Sequence, residues 1–162
     1  AVIAGSPDDA TLSGIAAVAD RIAVIDQPEL ADYQPEVYLE ALQQTCGSLD
    51  PAAVLLGGDT AGLELTARLA ARLGGSPMSD GIALSVVDDA IRVTRSAYGG
   101  KAEAVFELKR SPAVVWLRAR AFEPAEPTGG EAPLEKITVE LPDDIPTGPP
   151  GCGVIKLVVF DH

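Results

Sequence analysis

A three-layer α/β sandwich is the fold that this sequence predicts, and three observations favour it. Short apolar runs typical of buried strands alternate with amphipathic stretches through the first half of the chain. This alternation predicts right-handed crossovers and a parallel, Rossmann-like sheet. The second half is β-rich with short breaks, which predicts antiparallel strands appended to that sheet or extending its edge. The 162 residues are enough for one domain with a substantial core.

Capping and stop residues mark the predicted helices of the first half. Ser6, Pro7 and Asp9 form a capping-box pattern at the start of the first helix. Gly47 and Gly74 are predicted to end the second and third helices. The predicted elements are a strand at 1–4, a helix to about 15, a strand at 21–26, a helix from 35 to about 45, a strand at 52–56 and a helix at 63–73.

Residues after the third helix predict strands and loops. Asp88 and Asp89 are typical of a hairpin turn between two of these strands. The predicted elements are strands at 82–87, 90–94, 102–108 and 113–117, an exposed connector at 123–135, a half-buried strand at 137–141, a Pro/Gly-rich loop at 143–153 and a final strand at 154–160. Residues 1–125 are therefore predicted to form the α/β domain. Residues 126–162 are predicted to be a connector and terminal strands that pack on the same domain.

Charge and apolar patterning exclude two classes of partner. The formal net charge of −12 argues against nucleic acid, since a phosphate backbone requires clustered Lys and Arg. It argues equally against anionic membrane surfaces. No apolar run approaches the roughly 20 residues that a membrane-spanning helix needs. We therefore expect neither nucleic-acid binding nor membrane insertion.

Few residues offer catalytic or metal chemistry. Cys46 and Cys152 lack CxxC spacing and a neighbouring His, so two free thiols are favoured over a disulfide or a metal site. His162 is the only histidine. Three Asp pairs stand next to predicted turns or helix starts, where Asp caps main-chain amides. We find no Ser/His/Asp or Cys/His arrangement, and we predict no catalytic residue and no metal site.

The glycine-rich turn at 57–62 joins a buried strand to a helix. Main-chain amides at such a turn can hold a phosphate, with Gly57, Gly58, Asp59 and Thr60 as the candidate residues. The turn is neither a Walker A loop nor a GxGxxG motif, however, and no Lys follows it. Asp59 or Thr60 can also simply cap the helix. A structural turn is favoured, and nucleotide contact is the alternative.

A second constellation combines Arg95, Tyr98, Gly99, Gly100 and Lys101. Tyr98 can stack on a flat ring, Arg95 can bind an anion, and the two glycines allow a ligand to approach closely. The alternative is a β-turn with exposed cations, which the residues alone favour.

A third constellation follows an apolar strand that contains Trp116. Arg118, Arg120 and Phe122 come at its end. The two arginines can face a phosphate or acidic group, or equally water or a carboxylate of this chain. Trp116 is expected to be a core residue or an interface anchor.

Taken in order, these segments resemble the N-terminal domain of the electron transfer flavoprotein alpha subunit. The stretch Arg95–Ala102 is similar to the family's Arg-Pro-x-Tyr-Gly-Gly-Lys-Ala. Other similar segments are Ile25–Leu30 with Tyr33, Leu55–Gly62 with Leu65–Gly74, Ser79-Asp80, and Val115–Arg118 with Phe122. This sequence departs from the family in lacking a first strand–helix unit before Ala1, in Ala119-Arg120 where the family has Pro-Gly, and in lacking the C-terminal flavin-binding domain.

The resemblance implies an adenine nucleotide alpha hydrolase-like fold and part of a cytoplasmic, prokaryotic electron carrier. It implies FAD in the complete heterodimer, none on this chain alone, a beta-subunit partner, and electron donors such as acyl-CoA dehydrogenases. Arg95, Tyr98, Gly99, Gly100 and Arg118 are the residues we expect near the flavin. The alternatives are a stand-alone AMP- or ATP-binding domain and an interaction module without a redox role.

Overall fold

The computed structural model describes residues 1–127, 132–148 and 155–160. Three helices are α1 (Asp9–Ala16), α2 (Pro35–Leu49) and α3 (Thr60–Leu73), with short 3-10 turns at Pro28–Leu30 and Tyr98–Gly100. The strands are β1 (Val2–Ala4), β2 (Ile22–Ile25), β3 (Ala53–Leu56), β4 (Ser76–Val87), β5 (Ala90–Ala97), β6 (Ala102–Leu108), β7 (Ala113–Leu117), β8 (Leu134–Lys136) and β9 (Ile155–Phe160). No helix in the described ranges is long and apolar enough to cross a bilayer.

These strands form one mixed sheet in the order β6-β5-β4-β7-β3-β9-β1-β2-β8. Crossover winding makes β1 parallel to β2, β2 to β8, and both β3 and β4 to β7. Strands β4, β5 and β6 form an antiparallel meander that extends the sheet at one edge. The predicted α/β fold with appended antiparallel strands is confirmed.

Alternate residues of the central strands face two different helix layers. Val2 and Ala4 pack in the cluster beneath α2 and α3, whereas Ile3 between them packs in the cluster beneath α1. On α3, Leu65 and Leu69 are completely buried in the larger cluster. Burial of each such side chain contributes roughly 1.5–3 kcal/mol, so the three-layer core is the main stabilising feature of the fold.

Three sequence predictions hold at the level of single residues. Asp88 and Asp89 both have positive φ, 49° and 61°, and so form a two-residue hairpin turn of the type that matches strand twist. Gly74 ends α3 in the left-handed conformation. Strands β6 and β7 have the predicted bounds, and β9 begins one residue after Val154, which lies outside the described residues.

The predicted ends of the first two helices are wrong. Asp8, not Ser6, caps α1 by accepting a hydrogen bond from the Thr11 amide at 2.8 Å. Helix α2 continues through Gly47 and ends only at Asp50, whose φ is 46°. A glycine inside a helix costs about 1 kcal/mol. The extra turn packs Leu49 against the core, which is worth more.

The predicted strand at 137–141 is also wrong. The last strand before this segment is β8, and residues 137–140 follow it without pairing to a neighbouring strand. Glutamine side chains take the place of a strand partner for Val139 and Glu140. Strands β8 and β9 both join the main sheet, while the division at residue 125 stays a prediction.

Candidate functional site

The candidate site lies at the carboxyl edge of the parallel strands, where ligands bind in open α/β sheets. A cavity of about 380 Å³ is lined there by Asp80, Ser96, Gly99, Gly100 and Arg118. A register shift in β4 between Met78 and Gly81 leaves Asp80 at positive φ (66°). The main-chain amide of Arg118 donates to the Gly81 carbonyl at 2.9 Å, which brings the end of β7 against this bulge.

Arg118 is bound by a carboxylate of this chain. Its Nε donates to Asp80 Oδ1 at 2.7 Å, and its Nη2 donates to Asp80 Oδ2 at 2.6 Å. Nη1 donates to Ser96 Oγ at 3.1 Å, which ties the pair to β5. The hydrogen bond from Arg118 lowers the pKa of Asp80, and Arg95 lowers it further by its charge. Arg118 is thus a fixed and largely neutralised group rather than a free anion clamp.

The turn after β5 presents Tyr98 to solvent. Its side chain is 86% exposed, and Tyr98, Gly99 and Gly100 all have positive φ (50°, 67° and 85°). A tyrosine in this conformation is uncommon, whereas glycine adopts it without penalty. No neighbouring atom would lie within 4 Å of a Cβ at either glycine, so the main chain here is open to an approaching group.

Positive charge without an acidic partner surrounds this turn. Arg95, Lys101 and Arg120 make no ion pair with any described residue. Arg95 ends near Asp80, Lys101 follows the turn directly, and Arg120 stands two residues beyond Arg118. On a chain of net charge −12, such an edge can attract an anionic group while Tyr98 offers a ring to a flat one.

All five residues predicted near the flavin occur at this edge. Four of them surround the cavity or its turn, and Arg95 acts on Asp80 through its charge. Sequence reasoning left open whether Arg118 faces a ligand or a carboxylate of this chain, and the structure gives the carboxylate. It missed Asp80 and Ser96 as the partners, because the contact spans 38 and 22 residues along the chain.

The remaining residues of the third constellation lie outside the cavity. Arg120 is exposed at positive φ (62°), and Phe122 is 40% exposed. Trp116 is half-buried, and its Nε1 donates to the Asp59 carbonyl at 2.9 Å. It fastens the glycine-rich turn rather than filling the core.

The glycine-rich turn after β3 is occupied by contacts within the chain. Asp59 caps α3 by accepting from the Gly62 amide at 2.6 Å. A Cβ at Gly58 would lie 2.4 Å from the Ala119 nitrogen and 2.7 Å from the Leu117 oxygen. The glycine is therefore required by the close approach of the β7 end. A carboxylate at the helix start also repels phosphate, so this geometry favours a structural turn at residues 57–60.

Neither cysteine nor metal chemistry appears among the described residues. They contain no cluster of three or more metal-ligating side chains. Cys46 is a buried free thiol, and its burial raises its pKa to about 12. Cys152 and His162 lie outside the described ranges.

Comparison with known proteins identifies the class. Residues 1–142 match the family described as the electron transfer flavoprotein domain. Because this match covers most of the chain, the protein belongs to that family. Within the family its relatives are of one kind, FixB proteins and alpha subunits. The predicted alpha-subunit resemblance is confirmed.

Three relatives illustrate the similarity. Protein FixB of Azorhizobium caulinodans is 29% identical over 157 residues, 91% of this chain and 42% of its own. The electron transfer flavoprotein subunit alpha of Bacillus subtilis is 30% identical over 129 residues, 77% of this chain and 39% of its own. That of Mycobacterium tuberculosis is 31% identical over 145 residues, 88% of this chain and 44% of its own. The chain thus spans less than half the length of these relatives.

Proposed function

We propose that this chain is the scaffold and subunit-interface part of an FAD-dependent electron carrier. The observation that carries the proposal is the incomplete site at the carboxyl edge of a family-specific fold. The turn at 98–100 and the pair Arg118–Asp80 offer one wall, with an exposed tyrosine and surplus cations. A partner surface is needed to complete it.

The residues at this edge fit a flavin as one side of its site. Tyr98 would stack on a ring, Arg95 would face an anionic group, and the main chain at Gly99 and Gly100 would allow close approach. Arg118 would hold the edge of the wall in shape through Asp80 and Ser96. FAD, when bound in the assembled carrier, supplies the electron-transfer chemistry. An open cavity of about 380 Å³ encloses only part of so large a ligand.

The partners follow from the same proposal. An electron transfer flavoprotein beta subunit would cover the exposed edge and form the heterodimer. Dehydrogenases, including acyl-CoA dehydrogenases, would deliver electrons to the complete carrier, which works in the cytoplasm of a prokaryote. Unpaired cations at this edge would steer an acidic surface of the beta subunit into place.

Charge reversal at the two ends of the sheet tests the proposal. The Arg95→Glu variant should weaken binding to the beta subunit by at least about tenfold in sedimentation or calorimetry. Arg110→Glu makes the same change at the opposite end of the meander, where Arg110 is also exposed and without an ion pair. It should bind as the unmodified chain does. Equal effects of both variants, or none from Arg95→Glu, would contradict the proposed interface.

A further inference from the structure

Three glutamine side chains hold the segment 137–148, which we call the strap, by its main chain. Gln27 Nε2 donates to the Val139 carbonyl at 3.1 Å, and the Val139 amide donates back to Gln27 Oε1 at 2.8 Å. Gln44 makes the same pair of bonds to Glu140, at 2.6 and 3.0 Å. Each amide therefore reads both the donor and the acceptor of a single residue.

A third glutamine repeats this pattern nine residues further along the strap than Val139. Gln34 Nε2 donates to the Gly148 carbonyl at 3.1 Å, and the Gly148 amide donates to Gln34 Oε1 at 2.9 Å. Gln34 is itself buried at the start of α2. Two-way pairing also fixes the orientation of each side-chain amide, because a flipped amide would set oxygen against oxygen and nitrogen against nitrogen.

The three glutamines approach the strap from different elements. Gln27 comes from the loop after β2, whereas Gln44 comes from the middle of α2. Neighbouring residues of an extended chain point their main-chain groups to opposite sides. Val139 and Glu140 are thus satisfied on opposite edges of the strap. This arrangement resembles a strand between two partners, with side chains in the place of both partners.

The strap contributes few buried side chains to this contact. Val139 is buried in the cluster beneath α2, and Ile137, Leu141 and Ile145 pack against that cluster in part. The Glu140 side chain is exposed, and Gly148 has none. Recognition at two of the three clamped residues therefore depends on the main chain alone.

We propose that Gln27, Gln34 and Gln44 form a binding site for an extended peptide main chain with one apolar residue at the Val139 position. In this structure the chain's own strap fills the site. The glutamine amides are a latch, and the strap opens and closes as one unit without unfolding of the sheet. Opening exposes the apolar seat of Val139 beneath α2. This inference is independent of the flavoprotein proposal, because none of its residues belongs to the carboxyl-edge site.

Hydrogen exchange of the unmodified chain tests the unit directly. The amides of Val139, Glu140 and Gly148 should exchange with one shared opening constant. That constant should exceed the constant of core amides such as Val54 and Val114. If the three amides instead differ from one another, or exchange only with the core, the proposed unit is refuted.

A glutamine-to-glutamate change tests the latch. Gln27→Glu keeps the shape of the side chain but places a carboxylate oxygen against the Val139 carbonyl, which loses its donor. Exchange at Glu140 and at the distant Gly148 should both rise by about tenfold or more. Gln34→Glu should produce the same result from the other end. An effect confined to the substituted clamp would refute cooperative opening.

Two controls separate latch loss from added charge and from side-chain recognition. Gln43 lies on α2 beside Gln44 but bonds to Arg72, so Gln43→Glu should leave strap exchange unchanged. Glu140→Ala removes only an exposed side chain and should also leave exchange unchanged. Acidification toward about pH 4 should restore protection in Gln27→Glu, measured against unmodified chain at the same pH, because a protonated carboxyl can donate again. Equal loss in a control, or no recovery in acid, would overturn the proposal.

Discussion

Two adjacent glycines give the sharpest test of how the glycine-rich turn is built. Gly58→Ala would place a Cβ 2.4 Å from the Ala119 nitrogen and 2.7 Å from the Leu117 oxygen. Both atoms belong to the main chain, so no side-chain rotation can relieve the contact and the end of β7 must shift. Gly57→Ala adds the same methyl group where no atom lies within 4 Å, and its φ is outside the left-handed region.

The expected magnitudes differ in sign as well as in size. Overpacking of this kind costs about 1–3 kcal/mol, so Gly58→Ala should lower Tm by roughly 2–10 °C in a chain of this length. Gly57→Ala should be neutral or stabilising by up to about 1 kcal/mol, because it reduces the freedom of the unfolded chain. Urea or thermal unfolding followed by circular dichroism measures both variants.

Ligand titration completes the comparison. Calorimetry of the unmodified chain with AMP or ATP should show no heat, because Asp59 caps the helix start and the β7 end fills the space at Gly58. Equal stability of the two glycine variants would refute the close-packing explanation. Clear ATP heat that Gly58→Ala abolishes would instead support a nucleotide site in this turn.

Three further predictions concern single contacts. Asp80 has a lowered pKa in the fold because of Arg118, so its contribution to stability is present above its unfolded pKa of about 3.9 and is lost as pH falls through the lower folded value; Asp80→Asn should remove this acid-range slope in urea titrations at different pH. Tyr38→Phe should cost about 1–3 kcal/mol in urea unfolding, since the buried Leu30 carbonyl loses its 2.8 Å hydrogen bond; an unchanged midpoint would contradict this. Cys46, with a pKa of about 12 in the fold, should resist alkylation until the chain unfolds, and native-state labelling seen by mass spectrometry would disprove its burial.

Local signals in the sequence predicted much of the fold. Asp88 and Asp89 determine a turn from their own conformational preferences, and Gly74 ends a helix in the same way. Strands β6 and β7 are bounded by turn residues on both sides. These features depend on near neighbours along the chain, which is why periodicity and turn residues were sufficient to predict them.

Features that depend on distant contacts could not be predicted in this way. Helix α2 passes through Gly47 because Leu49 gains packing that no local pattern reports. Strand β9 was expected, but its antiparallel place between β1 and β3 was not. At the candidate site, Asp80 acquires its role only through a β-bulge that brings it to Arg118. A charged pair 38 residues apart leaves no periodic signal in a single sequence.

Titration with FAD, with and without the beta subunit, measures the central claim most directly. A lone wall at the carboxyl edge should leave the purified chain unable to take up flavin at micromolar concentration, while a mixture with the partner acquires a flavin absorbance spectrum. Micromolar FAD binding by the isolated polypeptide would contradict a role as scaffold and interface.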